Sequence, residues 1–160
     1  MPEKRLRTAI VVVSVHHGNT LQIARAMCGV LDADLLEPAD VTTNRLARYE
    51  LCGFGSGIYF GRHHSALQRM LAPSIQLPAE AFLFSTAGLP CLSRLWHWSL
   101  RRRLAARGCH VVAEFSCRGW DTVGPLVLLG GINRRHPDCR DQQRAREFAS
   151  GLEKEVSLHQ

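Results

Sequence analysis

A serine, a threonine, two histidines and a glycine follow an apolar segment near the start of the chain. Residues 8–13 are a short apolar run, and residues 14–20, Ser-Val-His-His-Gly-Asn-Thr, lead into an amphipathic helical pattern. A polar loop between a strand and a helix presents hydroxyls and backbone N–H groups to an anion, and the helix N-terminus attracts negative charge. The loop therefore predicts a phosphate site, with an ordinary strand-to-helix turn capped by Thr20 as the alternative.

This loop differs from those that bind polyphosphates. It contains neither Gly-x-x-x-x-Gly-Lys-[Ser/Thr] nor Gly-x-Gly-x-x-Gly, since Gly18 is its one glycine and it has no lysine. A single monophosphate group is the predicted ligand. His16 and His17 are expected to bond to that ligand rather than to a metal, because no further spaced ligands accompany them.

Strands and helices alternate along the whole chain. The patterns predict strands over 8–13, 33–36, 51–56, 81–85 and 111–116, and helices over 21–31, 44–49, 64–71, 92–107 and 141–156. We therefore expect a single domain over 1–160, an α/β fold with a doubly wound, five-stranded parallel sheet and helices on both faces. The helix 92–107 is predicted to bury a stripe of Leu92, Leu95, Trp96, Ser99, Leu100 and Leu104.

Two further segments carry expectations about packing. Gly53 and Gly55 in the third strand indicate that another group approaches the backbone closely. The segment 117–137 is too long for an ordinary loop after a strand, so we expect a structured excursion there. It carries Trp120 and is predicted to be a lid or a partner surface, with anchoring of the excursion to the core as an equal alternative.

Three strand ends are predicted to form one site, because ligands of such sheets bind beyond the carboxyl ends of the strands. The loop 14–20 offers a phosphate cradle, the segment 55–62 places aromatic residues between glycines, and the segment 85–90 is rich in small residues. Together they suit a flat aromatic ligand with one phosphate. One of Tyr59 and Phe60 is expected to contact this ligand while the other points into the core.

These loops resemble those of the flavodoxin family, and the resemblance extends over residues 9–152. The segment Ser14–Thr20 is similar to the family's Thr/Ser-x-Thr-Gly-x-Thr phosphate loop, with Gly18 and Thr20 in register and the two histidines as a departure. The resemblance implies FMN as the cofactor. The residues that it implies for binding are Ser14, His16, His17, Gly18, Asn19, Thr20, Ser56, Gly57, Ile58, Tyr59, Phe60, Gly61, Ser85, Thr86, Ala87 and Gly88.

The resemblance favours an FMN-binding electron-transfer protein that shuttles electrons between redox partner proteins. The stretch 61–68 also resembles the menaquinone-dependent protoporphyrinogen oxidase branch, so an FMN-dependent oxidoreductase acting on a quinone or porphyrinogen is the alternative. A flavin-free interaction domain is a third hypothesis, against which the phosphate loop argues. No catalytic acid–base pair is recognisable, and no carboxylate is expected beside the loops, so electron transfer is preferred. His63 and His64 either face the ligand or cap the following helix.

Composition narrows the class of protein further. The net charge is +6, with arginine clusters at 101–103 and 134–135, and no recognised nucleic-acid module accompanies them. Solvated helix faces are the favoured interpretation, and acidic protein partners or anionic substrates are the functional alternative. No apolar run reaches the roughly 18 to 20 residues of a membrane span, and the start lacks a signal-peptide pattern, so a cytoplasmic location is expected. The six cysteines form no Cys-x-x-Cys and are expected to be reduced packing residues.

Overall fold

The computed structural model describes residues 5–15, 18–119 and 135–159 of the protein, and at its centre lies a sheet of six strands. Five strands pair in parallel in the order β2-β1-β3-β5-β6, and β4 pairs antiparallel with the end of β3. The predicted α/β fold with a doubly wound parallel sheet is confirmed. The strands are β1 (Thr8–Val13), β2 (Asp34–Leu36), β3 (Leu51–Tyr59), β4 (Arg62–His63), β5 (Glu80–Ala87) and β6 (His110–Arg118).

Helices cover both faces of this sheet. The α-helices are α1 (Asn19–Leu31), α2 (Ser65–Met70), α3 (Ser93–Ala105) and α4 (Cys139–His159), and single 3₁₀ turns lie at Pro38–Asp40, Leu46–Arg48 and Pro90–Leu92. One core cluster joins α1 and α4 to the sheet, and a second joins α2 and α3 to its other face. Among the described residues, no helix combines the length and hydropathy needed to cross a membrane.

The central strands are buried from both sides, which explains their composition. All six residues of β1 are buried, because its side chains alternate between the two core clusters. A strand covered on both faces needs a continuous apolar run rather than an alternating one. The β-branched segment at the start of the chain therefore becomes the second strand of the sheet, between β2 and β3.

Gly53 and Gly55 are the positions where β3 accommodates two phenylalanines of β5. A Cβ built on Gly53 would lie 2.3 Å from Cζ of Phe82, and one on Gly55 would lie 2.1 Å from Cζ of Phe84. Real side chains never approach so closely, so both rings depend on the missing Cβ atoms. The close approach expected from the sequence is thus made by two core rings.

The structure corrects three of the predicted elements. The helix expected over 44–49 is only the 3₁₀ turn Leu46–Arg48, and α3 and β3 differ as follows. Leu92, just before α3, and Leu95 are exposed, and the buried positions of α3 are His97, Leu100 and Leu104. Hydrogen bonds of His97 to Ser85 and Glu114 fix the rotation of α3 about its axis. The buried side of the helix is therefore rotated by part of a turn from the predicted apolar stripe. The third strand runs on to residue 59 because it pairs with β4, which the sequence pattern did not predict.

The end of β6 also differs from the sequence-based expectation. Cys117 and Arg118, taken as the start of the excursion, are the last two residues of β6 and pair with Thr86 and Ala87. Trp120 and the segment 121–134 lie outside the described residues, so the predicted lid remains a prediction. The described cysteines are all free; Cys52, Cys109 and Cys117 are buried, Cys28 is half-buried, and Cys91 and Cys139 are exposed.

Candidate functional site

The ends of β1, β3 and β5 lie side by side at the carboxyl edge of the sheet. The register pairs Val13 with Ser56, and Ser56 with Ser85, so the three loops predicted to form the site begin at the same level. When neighbouring parallel strands end at the same level, the loops that follow them lie together at the carboxyl edge of the sheet. The structure therefore brings the described residues of all three loops together.

The first loop leads into the N-terminus of α1. Gly18 precedes the helix with φ +66°, a left-handed conformation that favours glycine, and no side chain caps the helix there. The backbone N–H of Leu21 donates to Ser14 Oγ at 3.3 Å, so the serine stabilises the first turn of α1 from outside the helix. His16 and His17 lie outside the described residues.

Thr20 joins the first loop to the third. Its side chain is buried, and its Oγ1 lies 2.8 Å from Oγ1 of Thr86 in a hydrogen bond. Asn19, at the start of α1, is buried as well. Thr20 is the second residue of the helix rather than its cap, which is Gly18. The alternative that Thr20 caps the helix is therefore wrong.

Gly119 is a site residue that the sequence patterns did not indicate. A Cβ built there would lie 3.0 Å from Thr86 Cβ and 3.1 Å from Asn19 Nδ2, and its N–H donates to the carbonyl of Ala87 at 3.1 Å. The end of β6 thus presses against both the first and the third loop. Its position directly after a strand, at the carboxyl edge, is the signal that could have found it.

The second loop is the turn of a β-hairpin. Phe60 and Gly61 both have positive φ, +50° and +75°, which is the backbone of a type I′ turn between β3 and β4. Phe60 is 93% exposed. Tyr59 is half-buried; its hydroxyl would lie 3.0 Å from a Cβ on Gly57, and its ring meets His64 edge-on at 5.3 Å. Of the two aromatic residues, Phe60 is the one that projects outward.

The two histidines after this turn have different roles. Nδ1 of His64 accepts from the N–H of Ala66 at 3.1 Å and caps α2, as one interpretation of the sequence predicted. His63 is buried, with Nδ1 2.9 Å from Ser56 Oγ, and its Nε2 has no hydrogen-bond partner among the described residues. Burial, and secondarily the charge of His97, lower the pKa of His63 to about 3, although Glu114 acts in the opposite direction. The ring is therefore neutral at physiological pH.

A chain of buried and half-buried polar groups connects Ser85 of the third loop with α3 and β6. His97 of α3 is 2.8 Å from Ser85 Oγ through Nε2 and 3.0 Å from Glu114 Oε2 through Nδ1. Arg101 donates to the other oxygen of Glu114, and Ser85 Oγ lies 3.0 Å from Ser116 Oγ. The expectation that no carboxylate neighbours the loops is wrong, because Glu114 reaches Ser85 through His97.

Glu114 remains ionised across the physiological range. Burial by itself raises the pKa of this carboxyl, but hydrogen bonds and charge from His97 and Arg101 outweigh that effect and lower it to about 2. The carboxylate therefore holds His97 in place from one side while Ser85 holds it from the other. His63 stacks near this group, with its ring centroid 4.9 Å from that of His97. A lone acidic residue in an otherwise apolar strand was the signal for this cluster.

The third loop consists of small buried residues. Ser85, Thr86 and Ala87 are buried at the end of β5, and Gly88 is half-buried. The hydroxyls of Ser85 and Thr86 bond to Ser116 and Thr20, as described above. This loop can therefore offer a ligand mainly its backbone N–H and C=O groups. Ser56 and Ile58 occupy the corresponding positions of β3, buried and half-buried respectively.

A groove of about 860 Å³ opens beside the hairpin. Aromatic side chains of the second loop line one part of it, and positively charged side chains from three elements line the rest. Such a lining suits an anionic or aromatic molecule. The lining residues are Val15, Tyr59, Phe60, Arg62, His63, His64, Ser65, Gln68, Arg69 and Arg103.

One further cluster of ionisable groups lies at the start of α4. Ligand atoms of His136, Asp138 and Asp141 lie within 4.8 Å of one another. Asp138 Oδ1 accepts from the N–H groups of Arg140 and Asp141 at 2.9 Å, and Asp141 Oδ2 accepts from the N–H of Asp138 at 3.1 Å. These reciprocal bonds are those of a helix N-terminal cap, which explains the carboxylates without a metal ion.

Comparison with known proteins agrees with this architecture. No protein-family model matches the chain. It is 39% identical over 147 residues to the "Uncharacterized protein MJ0298" of Methanocaldococcus jannaschii, covering 92% of this chain and 98% of that one. Its fold matches oxidised Flavodoxin 2 from Bacillus cereus (TM-score 0.68, 21% identity, 92% of this chain and 99% of that chain).

A flavodoxin from the domain Archaea matches in the same way, with a TM-score of 0.64, 16% identity, and coverage of 94% of this chain and 99% of that chain. At such identities the likeness establishes the fold and nothing finer. The identity to the methanogen protein, by contrast, extends over nearly all of both chains. The chain therefore belongs to the same family as protein MJ0298, and its fold is that of the flavodoxins.

Proposed function

We propose that the protein binds FMN at the three loops and transfers electrons between redox partner proteins. The observation that carries this proposal is the convergence of the phosphate-type loop, the hairpin turn and the small-residue loop at one edge of the sheet. Bound FMN would supply the redox chemistry, and the chain would bind the cofactor, orient it and tune its potential. Our preference for electron transfer rests on the flavodoxin-like fold and on the lack of a recognisable catalytic acid–base pair in the sequence.

The first loop fits a monophosphate. Gly18 has open space around the position of a Cβ, and α1 begins directly after it, so an anion can approach the N-terminus of the helix. Asn19 and Thr20 are buried there and held by the rest of the site. The loop has no lysine for a second phosphate, which favours FMN over dinucleotides.

The second and third loops fit an aromatic ring system. Phe60 projects from a turn with left-handed backbone, an arrangement that is costly for a bulky residue and that points to a function at this position. The third loop contributes buried, mutually bonded small residues whose backbone faces the same edge. A planar ligand between them would contact a ring on one side and peptide groups on another.

The identity of the cofactor is tested by denaturing the purified protein, or the protein reconstituted with FMN, and measuring the mass of the released ligand. Recovery of FMN is expected, and the folded protein should show the visible absorption bands of oxidised flavin. Release of FAD, or failure to retain any flavin after reconstitution, would contradict the proposal.

Asn19→Asp tests the position of the phosphate. The substitution sets a carboxylate against a dianionic phosphate, so it should weaken FMN binding at least tenfold, and much more than it lowers the free energy of unfolding. Gln22→Glu is the matched control, because Gln22 is exposed on the same helix and the charge change is identical. Equal FMN affinity in Asn19→Asp and wild type would mean that the phosphate lies elsewhere.

The groove beside the hairpin favours a second candidate, an FMN-dependent oxidoreductase that acts on a small anionic or aromatic substrate. Arg62, Arg69 and Arg103 line this groove together with the aromatic residues. The two functions are distinguished by supplying reduced protein with a quinone or porphyrinogen and varying the concentration of that small molecule. Saturable turnover that Arg69→Gln weakens would favour the enzyme; a linear dependence unaffected by Arg69→Gln would favour the carrier.

A further inference from the structure

The net positive charge of the protein is confined to one part of the chain. Residues 51–113 contain seven arginines, no lysine and a single acidic residue, Glu80, which together equal the whole net charge of +6. The remainder of the chain has equal numbers of acidic and basic residues. Both α2 and α3 belong to this central part, and both cover the same face of the sheet. The part of this face that α2 and α3 form is therefore strongly basic.

Large apolar side chains are exposed on the same side. Leu95 is 68% exposed and Trp98 52% exposed on α3, and Leu89 and Leu92 before the helix are 58% and 45% exposed. We call this surface, with Arg94, Arg102 and Arg103, the α3 face. Single exposed leucines are ordinary on a protein surface, but four large apolar residues along one helix and its entry segment are not.

Helical geometry makes the α3 face continuous. Leu95, Trp98 and Arg102 recur at intervals of three and four residues, so they share one side of the helix. The buried residues His97, Leu100 and Leu104 form the opposite side, fixed by the bonds of His97 to Ser85 and Glu114.

Arginines surround the apolar stripe. Arg94 and Arg103 are exposed, and the guanidinium of Arg102 lies over the Trp98 ring at 4.8 Å from its centroid. None of the three forms an ion pair with a carboxylate in the described part of the chain. The α3 face is thus apolar along its middle, positive at its borders, and free of acidic residues from 81 to 113.

We propose that the α3 face binds the surface of an anionic lipid bilayer. Tryptophan, leucine and arginine on one side of a helix are the composition that lies at the boundary between headgroups and acyl chains. Anionic headgroups complement the arginines, and the apolar side chains enter the boundary region. This inference rests on the exposed side chains of α3 and its entry segment, and it does not depend on the presence of FMN.

The charge pattern argues against association of two copies through the same face. A symmetric pair would bring the same arginines together with no carboxylate of either α3 face to balance them, so repulsion would oppose the apolar contact. An acidic protein would satisfy the arginines but requires a matching apolar surface for Leu95 and Trp98. A bilayer supplies both kinds of contact at once, and it is therefore the occupant that the composition of the face favours.

Co-sedimentation with vesicles tests the proposal on the full-length protein, with and without FMN. Vesicles of phosphatidylcholine mixed with phosphatidylglycerol should bind the protein at physiological ionic strength, and vesicles of phosphatidylcholine alone should bind it at least roughly tenfold more weakly. The affinity should fall as salt rises because the arginines act through exposed charge. Equal, negligible binding to both compositions would overturn the proposal.

One double variant locates the surface, and a second controls for net charge. Arg94→Glu/Arg102→Glu should weaken binding to the mixed vesicles at least roughly tenfold. Arg25→Glu/Arg146→Glu changes the net charge equally on the opposite side of the sheet, at two exposed positions of α1 and α4, and should have a much smaller effect. Similar losses in both pairs would mean that net charge alone attracts the protein, and would overturn the assignment of the face.

Quenching by brominated lipid tests the insertion of Trp98 directly. Brominated phosphatidylcholine in the mixed vesicles should quench part of the tryptophan fluorescence, and that part should disappear in Trp98→Phe, which keeps an apolar aromatic side chain but removes the indole. Circular dichroism verifies the fold of every variant. Unchanged quenching in Trp98→Phe, or tight binding of an acidic protein partner to the α3 face with no binding to vesicles, would contradict the proposal.

Discussion

His63 combines burial with a hydrogen-bonding atom that has no partner in the described part of the chain. Its ring is 3% exposed, sits between Ser56 and His97, and is kept neutral by burial, which lowers its pKa to about 3. A buried neutral imidazole makes stability depend on pH, because the unfolded chain binds a proton that the folded chain rejects. This pH-dependent loss of stability comes from one side chain, so a substitution of His63 can measure it.

His63→Asn tests this dependence. The folded pKa of about 3 lies below the ordinary value of 6.5, so the wild type loses stability as the pH falls from about 6.5 towards 3. Asparagine does not titrate there. The wild type should therefore lose roughly 2 kcal/mol relative to the variant between pH 7 and pH 5.

The measurement is urea unfolding of both proteins at several pH values in this window. Glu114 does not contribute to the difference, since its pKa of about 2 affects stability only below its ordinary value of 4.5. Parallel stability profiles of the two proteins from pH 7 to pH 5 would show that His63 is protonated as easily in the folded protein as in the unfolded chain.

At the scale of elements, the packing of β3 on β5 depends on two glycines facing two phenylalanine rings. A methyl group at Gly55 would meet three ring carbons of Phe84 at 2.1–2.4 Å. The ring is fully buried, so it cannot move away without disturbing its neighbours. The same two strands end in the second and third loops, so a shift between them would also displace the candidate site.

Gly55→Ala is therefore expected to lower the free energy of unfolding by roughly 1–3 kcal/mol. Phe84→Leu makes room for the methyl group, so the cost of Gly55→Ala should be smaller in that background, as a double-mutant cycle with thermal or denaturant unfolding would measure. Gly29→Ala is the control: Gly29 lies exposed in α1 with open space around it, and alanine there should stabilise the helix. Additive effects of Gly55→Ala and Phe84→Leu would contradict the steric explanation.

The elements also show what sequence periodicity can and cannot predict. In α4 the spacing of apolar residues and burial coincide, since Ala145, Ala149 and Leu152 are all buried. In α3 they do not coincide: apolar residues occur on every side, and the bonds of His97 to partners on two strands decide which side is buried. A contact between distant polar residues leaves no periodic signal.

The sequence pattern did not predict the hairpin of β3 and β4 for a related reason. Its strands are short, and its type I′ turn has Phe60 where asparagine or aspartate usually provides the signal. The alignment of the three loops, in contrast, followed from the sequence, because strand order and register in a parallel α/β sheet leave little freedom at the carboxyl edge. Which atoms of those loops bond to one another, such as the hydroxyls of Thr20 and Thr86, depended on the packed structure.

At the scale of the whole molecule, the distribution of charge has consequences for the proposed cofactor. The electron carriers of the flavodoxin family, which this chain resembles, are typically acidic. In them, crowded carboxylates around the flavin disfavour its anionic reduced form. In this protein, Arg62 follows the second loop and Arg118 ends β6, both exposed near the same edge of the sheet. Positive charge within a Debye length, about 8–10 Å, stabilises a reduced anion instead. FMN bound here should be easier to reduce fully than FMN in an acidic carrier.

A redox titration at low and high salt decides whether this effect operates. Arg62→Gln/Arg118→Gln should lower the potential of the second reduction step by roughly 10–30 mV per charge at low salt, because each removed guanidinium stabilised the anion across water and protein. The difference from the wild type should shrink as salt rises, since exposed charges are screened. Arg25→Gln/Arg146→Gln removes the same charge from the far side of the sheet and should leave the potential nearly unchanged. A wild-type couple as low as that of acidic carriers and indifferent to salt would mean that these arginines do not act on the flavin.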